Sequence, residues 1–192
     1  MIEENPDHSA WYIERFRVMA AEGRDLDGEA RFIDALVPRA ARILDAGCGP
    51  GRVGGRLAAL GHHVVGVDID ADLIAAARTD HPDATWLAQD LAALDLASED
   101  LADSFDVIVS AGNVMTFLDP STRRDVLQRL RAHLAPDGRL VIGFGADRGY
   151  AFDDFCADVE AVGLRDEIKL SSWDLRPFGA ASEFLVAILV DR

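Results

Sequence analysis

From Arg42 onward, short apolar runs alternate with helical segments, and this alternation constrains the fold more than any other feature. Ile43-Leu44-Asp45-Ala46 reads as a buried strand, followed by a helix over 52–60 that ends at Gly61. Residues 64–67 form a second strand and 71–78 a second helix. A weak third strand covers 84–87 and a strong fourth 105–110. An amphipathic helix over 121–134 leads to a fifth strand over 139–144 and a helix over 152–162. Repeated strand–helix units of this length predict an α/β domain with a doubly wound, mostly parallel sheet and helices on both faces. Two further extended stretches, 168–173 and 184–190, leave no room for a crossover helix between them. They must pair as a hairpin or with different neighbours, which adds an antiparallel strand at the C-terminal end.

The first 40 residues read differently. Residues 9–22 place Tyr12, Phe16, Met19 and Ala20 on one helical face, with Ser9 as the expected N-cap. After Gly23, a second helix over 28–37 carries Phe32, Ile33, Leu36 and Val37 and stops at Pro38. With no low-complexity linker or internal repeat, residues 1–192 are expected to form one domain, a helical cap (1–40) over a cofactor-binding core (41–192). Glu3, Glu4 and Asp7 at the start leave no apolar segment of the kind that directs secretion. The longest apolar run, 185–190, is too short to span a bilayer. A cytoplasmic protein with no membrane partner is the expectation. The 34 acidic residues outnumber 19 basic ones, giving a net charge of −15, which repels phosphate backbones and argues against a nucleic-acid partner. Two cysteines, Cys48 and Cys156, are too few for a disulfide framework, and no His/Cys/Asp cluster has metal-ligand spacing.

In doubly wound sheets, ligands sit outside the carboxyl ends of the strands, where strand order reverses. The residues at those ends form a set. Strand one ends at Asp45 and a glycine loop, Gly47-Cys48-Gly49-Pro50-Gly51. Strand two runs into Asp68-Ile69-Asp70, strand three into Gln89-Asp90-Leu91, and strand four into Ser110-Ala111-Gly112-Asn113. Glycines let backbone approach a ligand closely, and the following helix start offers free N–H groups. Asp68 has the spacing from the loop at which a carboxylate accepts from ribose hydroxyls. Each feature has a plainer reading: a tight turn for the loop, a helix N-cap for Asp68, Asp70 or Asp72, a surface turn for Asp90. Their co-occurrence at one edge of the sheet points to an adenosine-containing ligand.

Residues 43–52 resemble motif I of the class I S-adenosylmethionine-dependent methyltransferases. Residues 64–70 are similar to that family's next segment, 105–118 to its motif IV region, and 134–140 to the turn before its fifth strand. The resemblance implies a Rossmann-like fold with S-adenosylmethionine as cofactor. Asp45, Gly47 and Gly49 would surround its methionine part. Asp68 would hold the ribose hydroxyls, Ile69 would pack on adenine, and Asp90 with the Leu91 backbone would meet the adenine edge. Ala111 and Asn113 would lie near the sulfonium and the acceptor. The Asn/Asp-Pro-Pro-Tyr sequence of enzymes that methylate amide or base nitrogens is absent, since Val114-Met115 follow Asn113.

Two rivals remain. Residues 49–54 fit G-x-G-x-x-G, the fingerprint of a nicotinamide dehydrogenase, but the turn begins at Gly47 and Asp45 would oppose a pyrophosphate. A cofactor-binding protein without turnover would show the same motifs. For a methyltransferase, a general base is required only if the acceptor keeps its proton at neutral pH. His8, Tyr12 and Glu29 are the candidates, with Tyr12 and Asn113 the candidate catalytic residues. His62 and His63 precede strand two, at the wrong edge, and His133 suits a helix C-terminus. Only residues 1–40, the loop after strand four and 145–150 are left to recognise an acceptor, which favours a small molecule. Oligomeric state is not encoded in any motif.

Overall fold

The computed structural model describes residues 8–97, 101 and 104–192. The acidic start with Glu3, Glu4 and Asp7, and the side chain of His8, lie outside the described residues. Seven strands form one sheet: β1 (Arg42–Ala46), β2 (His63–Asp68), β3 (Thr85–Ala88), β4 (Phe105–Ser110), β5 (Leu134–Gly145), β6 (Leu164–Leu170) and β7 (Phe184–Asp191). Their spatial order is β3-β2-β1-β4-β5-β7-β6. β7 is antiparallel to both β5 and β6, and the remaining pairings are parallel. The two late stretches therefore do form a hairpin, folded so that its second strand pairs with β5. Strand order reverses between β1 and β4, and this fixes the crevice.

The helices are α1 (His8–Ala21), α2 (Gly28–Leu36), α3 (Arg52–Ala59), α4 (Ala71–Asp80), α5 (Val114–Phe117), α6 (Arg123–Ala132) and α7 (Phe152–Ala161). Side chains alternate across the strands. Leu44, Val65, Ile108 and Ile142 pack with α6 and α7, through Leu127 and Phe155. Ile43, Val64, Val109 and Val141 pack with α2 and α3, through Ile33 and Leu57. Asp45, between Leu44 and Ala46, thus points to the α3 face. The expected helix over 121–134 is shorter at both ends. His133 is the C-cap of α6, its backbone N–H donating to the Leu130 carbonyl, and Leu134 already pairs with Phe105 as the start of β5. The four-residue α5 was not expected, because one turn has no periodicity to read.

α1 also departs from expectation. Ser9 lies inside the helix instead of capping it, and its hydroxyl donates to Asp70 Oδ2. Tyr12, Phe16 and Met19 are only half-buried, Ala20 is exposed, and Trp11 is 56% exposed. Polar ties hold this helix along α4: Ser9 to Asp70 at one end, and a forked Arg17–Asp80 pair at the other.

Behind the glycine loop, Trp86 is buried with Cys48, Ile74 and Ala77. Its ring lies where a Cβ on Gly66 would be, and its indole N–H is fixed on the His81 carbonyl at 2.8 Å. Gly66→Ala is therefore expected to overpack β2 and cost about 1–3 kcal/mol of stability. Urea unfolding checks this: a midpoint equal to wild type would mean the indole can shift freely.

Candidate functional site

Asp45 closes β1 on the α3 face and is 2% exposed. Its Oδ2 accepts the Gly54 backbone N–H at 2.8 Å, which pins the first turn of α3 to the end of the strand. A Cβ at Gly54 would lie 2.9 Å from that oxygen, so the helix can approach only as glycine. Between the two, Gly47, Gly49 and Gly51 all have positive φ (80°, 55° and 83°), and the tight turn is closed on itself, with the Gly47 and Cys48 N–H groups donating to the Val67 carbonyl and the Gly51 N–H to the Cys48 carbonyl.

Asp68 fastens the other side of this loop. It is the last residue of β2, where a residue just past the strand was expected; its Oδ2 accepts from the Gly49 N–H at 2.8 Å and its Oδ1 from the Asp70 N–H at 3.0 Å. Each oxygen still has a lone pair, since a carboxylate offers about four acceptor positions. Asp70, not Asp68, caps α4, accepting from Asp72 and Leu73. Ile69 is 59% exposed at the crevice mouth. Asp90 is exposed and caps a 3-10 turn (Leu91–Ala93) through Ala92 N–H; Leu91 is buried behind it.

Across the switch point, Ala111 is buried at the end of β4, and Gly112 and Asn113 both take positive φ. Asn113 Oδ1 accepts from Gly145 N–H at 2.8 Å, tying the β4 and β5 ends together. Val114 then stands where a Cβ on Gly47 would be, so the loops after β1 and β4 are in contact. The structure thus brings Asp45, Gly47, Gly49, Asp68, Ile69, Ala111 and Asn113 to one edge, with Asp90 and Leu91 one strand further out.

Tyr12 reaches this edge from α1. Its Cε1 would be 3.6 Å from a Cβ on Gly49, and its ring packs edge-on to Phe16. Burial raises the Tyr12 phenol against the pull of Arg52 and Arg15, so at neutral pH it keeps its proton and is not a base. Glu29 is also unsuited to that role. Burial pushes its carboxyl up, but a forked pair with Arg52 at 2.6 and 2.9 Å outweighs it and holds the group below the usual range. Arg52 also donates to the Leu26 carbonyl and sits 5.4 Å from the Phe16 ring centroid, linking both N-terminal helices to the glycine loop. Nothing in the sequence marked Arg52 for this, because its partners lie 23 and more residues away. His62 and His63 stand at the opposite edge. His62 is buried, accepting Ala41 N–H at Nδ1 and bonded through Nε2 to Asp34.

Two further side chains at the carboxyl edge were not predicted. On β5, Val141, Gly143 and Gly145 share the α3 face. The Trp173 ring, edge-on to Phe32, covers Gly143, and Arg148 folds back over Gly145.

A family model described as a methyltransferase domain matches residues 43–138. The crystal structure of a TehB-like S-adenosylmethionine-dependent methyltransferase from Corynebacterium glutamicum is 50% identical. The match covers 98% of this chain and 100% of that one, with a TM-score of 0.93. A dTDP-3-amino-3,6-dideoxy-alpha-D-glucopyranose N,N-dimethyltransferase from Streptomyces fradiae is 32% identical over 130 residues, 65% of this chain and 49% of the relative. A ribosomal RNA small subunit methyltransferase C from Chromohalobacter salexigens is 32% identical over 126 residues, 60% of this chain and 36% of the relative. The chain spans about half the length of the first curated relatives it matches.

Burial raises Asp45 from the usual carboxylate range to about 7, against the Gly54 N–H and Arg52, which lower it. Below about pH 4 both folded and unfolded chains hold this proton, and burial of the group is free of this penalty. As pH rises toward 7 the unfolded chain releases it first, so stability falls; above 7 the loss is complete. Asp45→Asn should escape this, gaining about 2–3 kcal/mol on wild type between pH 5 and pH 8. Denaturant unfolding at both pH values decides it, and parallel profiles would mean Asp45 ionises normally.

Proposed function

The chain belongs to the class I S-adenosylmethionine-dependent methyltransferase family, and on that footing we propose that it transfers a methyl group to a small-molecule acceptor. The observation that carries the reading is the glycine loop held between Asp45 and Asp68, at the point where strand order reverses. The donor set fits the family's cofactor. Asp68 retains lone pairs for two vicinal hydroxyls, and Ile69 offers an exposed apolar face to a base. Asp45, raised to about 7 by burial, would be drawn to its charged form by a cationic methionine end beside it. The glycine loop leaves room for backbone contact, and we assign Asp90, exposed in the turn after β3 beside β2, to the adenine edge.

When bound, S-adenosylmethionine supplies a methyl group already activated on a sulfonium. The protein's part is alignment and exclusion of water. Holding two reactants in line is worth roughly 7–11 kcal/mol of barrier. Tyr12 and Asn113 are the residues we assign to that alignment, with α1 as a cover over the glycine loop. A small acceptor is supported by the net charge of −15 and by the short segments left over for recognition. The sugar nucleotide in the Streptomyces relative's name supports it too. The ribosomal relative has nearly two thirds of its length outside the match, so its substrate weighs little here. Among the described residues no helix is long and apolar enough to cross a membrane. Cytoplasmic residence is part of the same proposal.

Calorimetry tests the reading. S-adenosylmethionine and S-adenosylhomocysteine should each bind at one per chain and NADH should not; the reverse pattern would sink it. In the same titrations Asp68→Ala should weaken adenosylhomocysteine by roughly ten- to a few hundred-fold, since hydrogen bonds to a charged group are worth about 1.5–3 kcal/mol. Asp72→Ala, on the exposed first turn of α4, should leave affinity unchanged. Tyr12→Ala should weaken binding without lowering the melting temperature if α1 is a cover. Equal affinity throughout would remove both assignments.

A further inference from the structure

We propose that the methyl acceptor carries a carboxylate, bound above Gly145 by the Arg148 guanidinium and the Asn113 side-chain amide. The inference rests on the methyl-transfer reading above and narrows it to a substrate class.

Four observations carry it. Arg148 Nε would lie 3.1 Å, and Asn113 Oδ1 3.6 Å, from a Cβ on Gly145, so the two side chains converge on this glycine, which leaves the arginine room to fold over the strand end. Asn113 Oδ1 is already committed to Gly145 N–H, which leaves its amide N–H groups as donors with no acceptor among the described residues. Arg148 likewise has no carboxylate or carbonyl partner among the described residues. Ten other arginines are paired with carboxylates, whereas Arg148 stands at the carboxyl edge of the sheet without such a pair. Asp147, its immediate neighbour, sits in the left-handed region at φ 56° and forms no pair with it. Asn113 Oδ1 is turned to the Gly145 N–H and its amide nitrogen is the free donor end, while Arg148 is a planar cation whose fork matches that of a carboxylate.

Third, Gly143 is two residues back on the same face of β5, and the Trp173 ring covers it. Same-face positions are about 7 Å apart along a strand, so a flat wall stands beside the two donors. Trp173 is held there by a closed loop, in which Ser171 N–H donates to the Arg176 carbonyl at 2.8 Å and Leu170 bridges Pro177. This geometry suits an acid with a planar body. Fourth, the overall charge of −15 repels anions at long range. Screening cuts that field off within about 8 Å at physiological salt. An anionic acceptor therefore needs a local cation that the protein has not spent on itself, and Arg148 is such a cation at the acceptor side of the crevice.

The test is calorimetric titration of benzoate and of its neutral counterpart benzamide into the full chain saturated with S-adenosylhomocysteine. Wild type should bind benzoate at least ten-fold tighter than benzamide. Arg148→Ala should abolish that preference, and Arg148→Lys should restore only part of it. Because the side chain is exposed, both variants should melt like wild type and bind adenosylhomocysteine with wild-type affinity. Equal binding of the two probes by wild type, absence of benzoate binding, or a preference that survives in Arg148→Ala would each overturn the inference. Failure of wild type to bind adenosylhomocysteine would instead overturn the methyl-transfer reading beneath it.

Discussion

The hydrogen bond from Gly54 N–H to the buried Asp45 carboxylate governs the geometry of the whole cofactor edge. It draws the first turn of α3 onto the end of β1, so close that no side chain fits at Gly54. The chain must then reverse within the five residues from Gly47 to Gly51, three of them glycines at positive φ. Backbone amides are costly to leave unpaired, and this turn pairs its own: Gly47 and Cys48 donate to the Val67 carbonyl, Gly51 to Cys48, and Gly49 to Asp68. Two carboxylates from adjacent parallel strands thus define the loop. The sheet needs both apolar flanking clusters to hold those strands in register beneath it.

Much of this was legible in the sequence because it is written in local signals. The strands are short apolar runs, and Asp45 and Asp68 stand at their ends, so the β1 and β2 termini and the cofactor edge follow from pattern alone. Asp70 as the α4 cap follows from residue type and position. What stayed hidden depends on contacts between distant segments. Ser9 is a good N-cap residue, yet its hydroxyl is used by Asp70, 61 residues on. Glu29 looked free to act as a base, and Arg52 occupies it. The hairpin could pair in more than one way, and only packing against β5 decides that β7 goes inside and β6 outside.

The two halves of the crevice are built by different means. The cofactor half is made of backbone turns locked by buried acids, with little freedom for side-chain variation. The half that we assign to the acceptor is furnished by side chains from the segments after β5 and β6, lying over Gly143 and Gly145. Trp173 reaches the site because β6 runs parallel to β5 and releases its loop at the same edge. A change of residue at 148 or 173 can therefore retune the pocket without disturbing the turn that holds the cofactor.

The insertion of β7 between β5 and β6 also bears on how the chain reaches its native state. Strands β1 to β5 are joined by successive crossovers, and the pairing of β1 with β4 already joins residues 64 apart. β5, however, presents an open ladder of amides and carbonyls along 140–145 until Phe184–Asp191 docks, and β6 pairs with β7 alone. The β5–β7 pairing joins residues 39 to 49 apart, a further loop-closure cost. Until then the molecule carries an unpaired, apolar edge in its interior, the kind of surface through which partly folded chains stick to one another. The last strand in chain order is thus the one that makes the fold safe at high concentration.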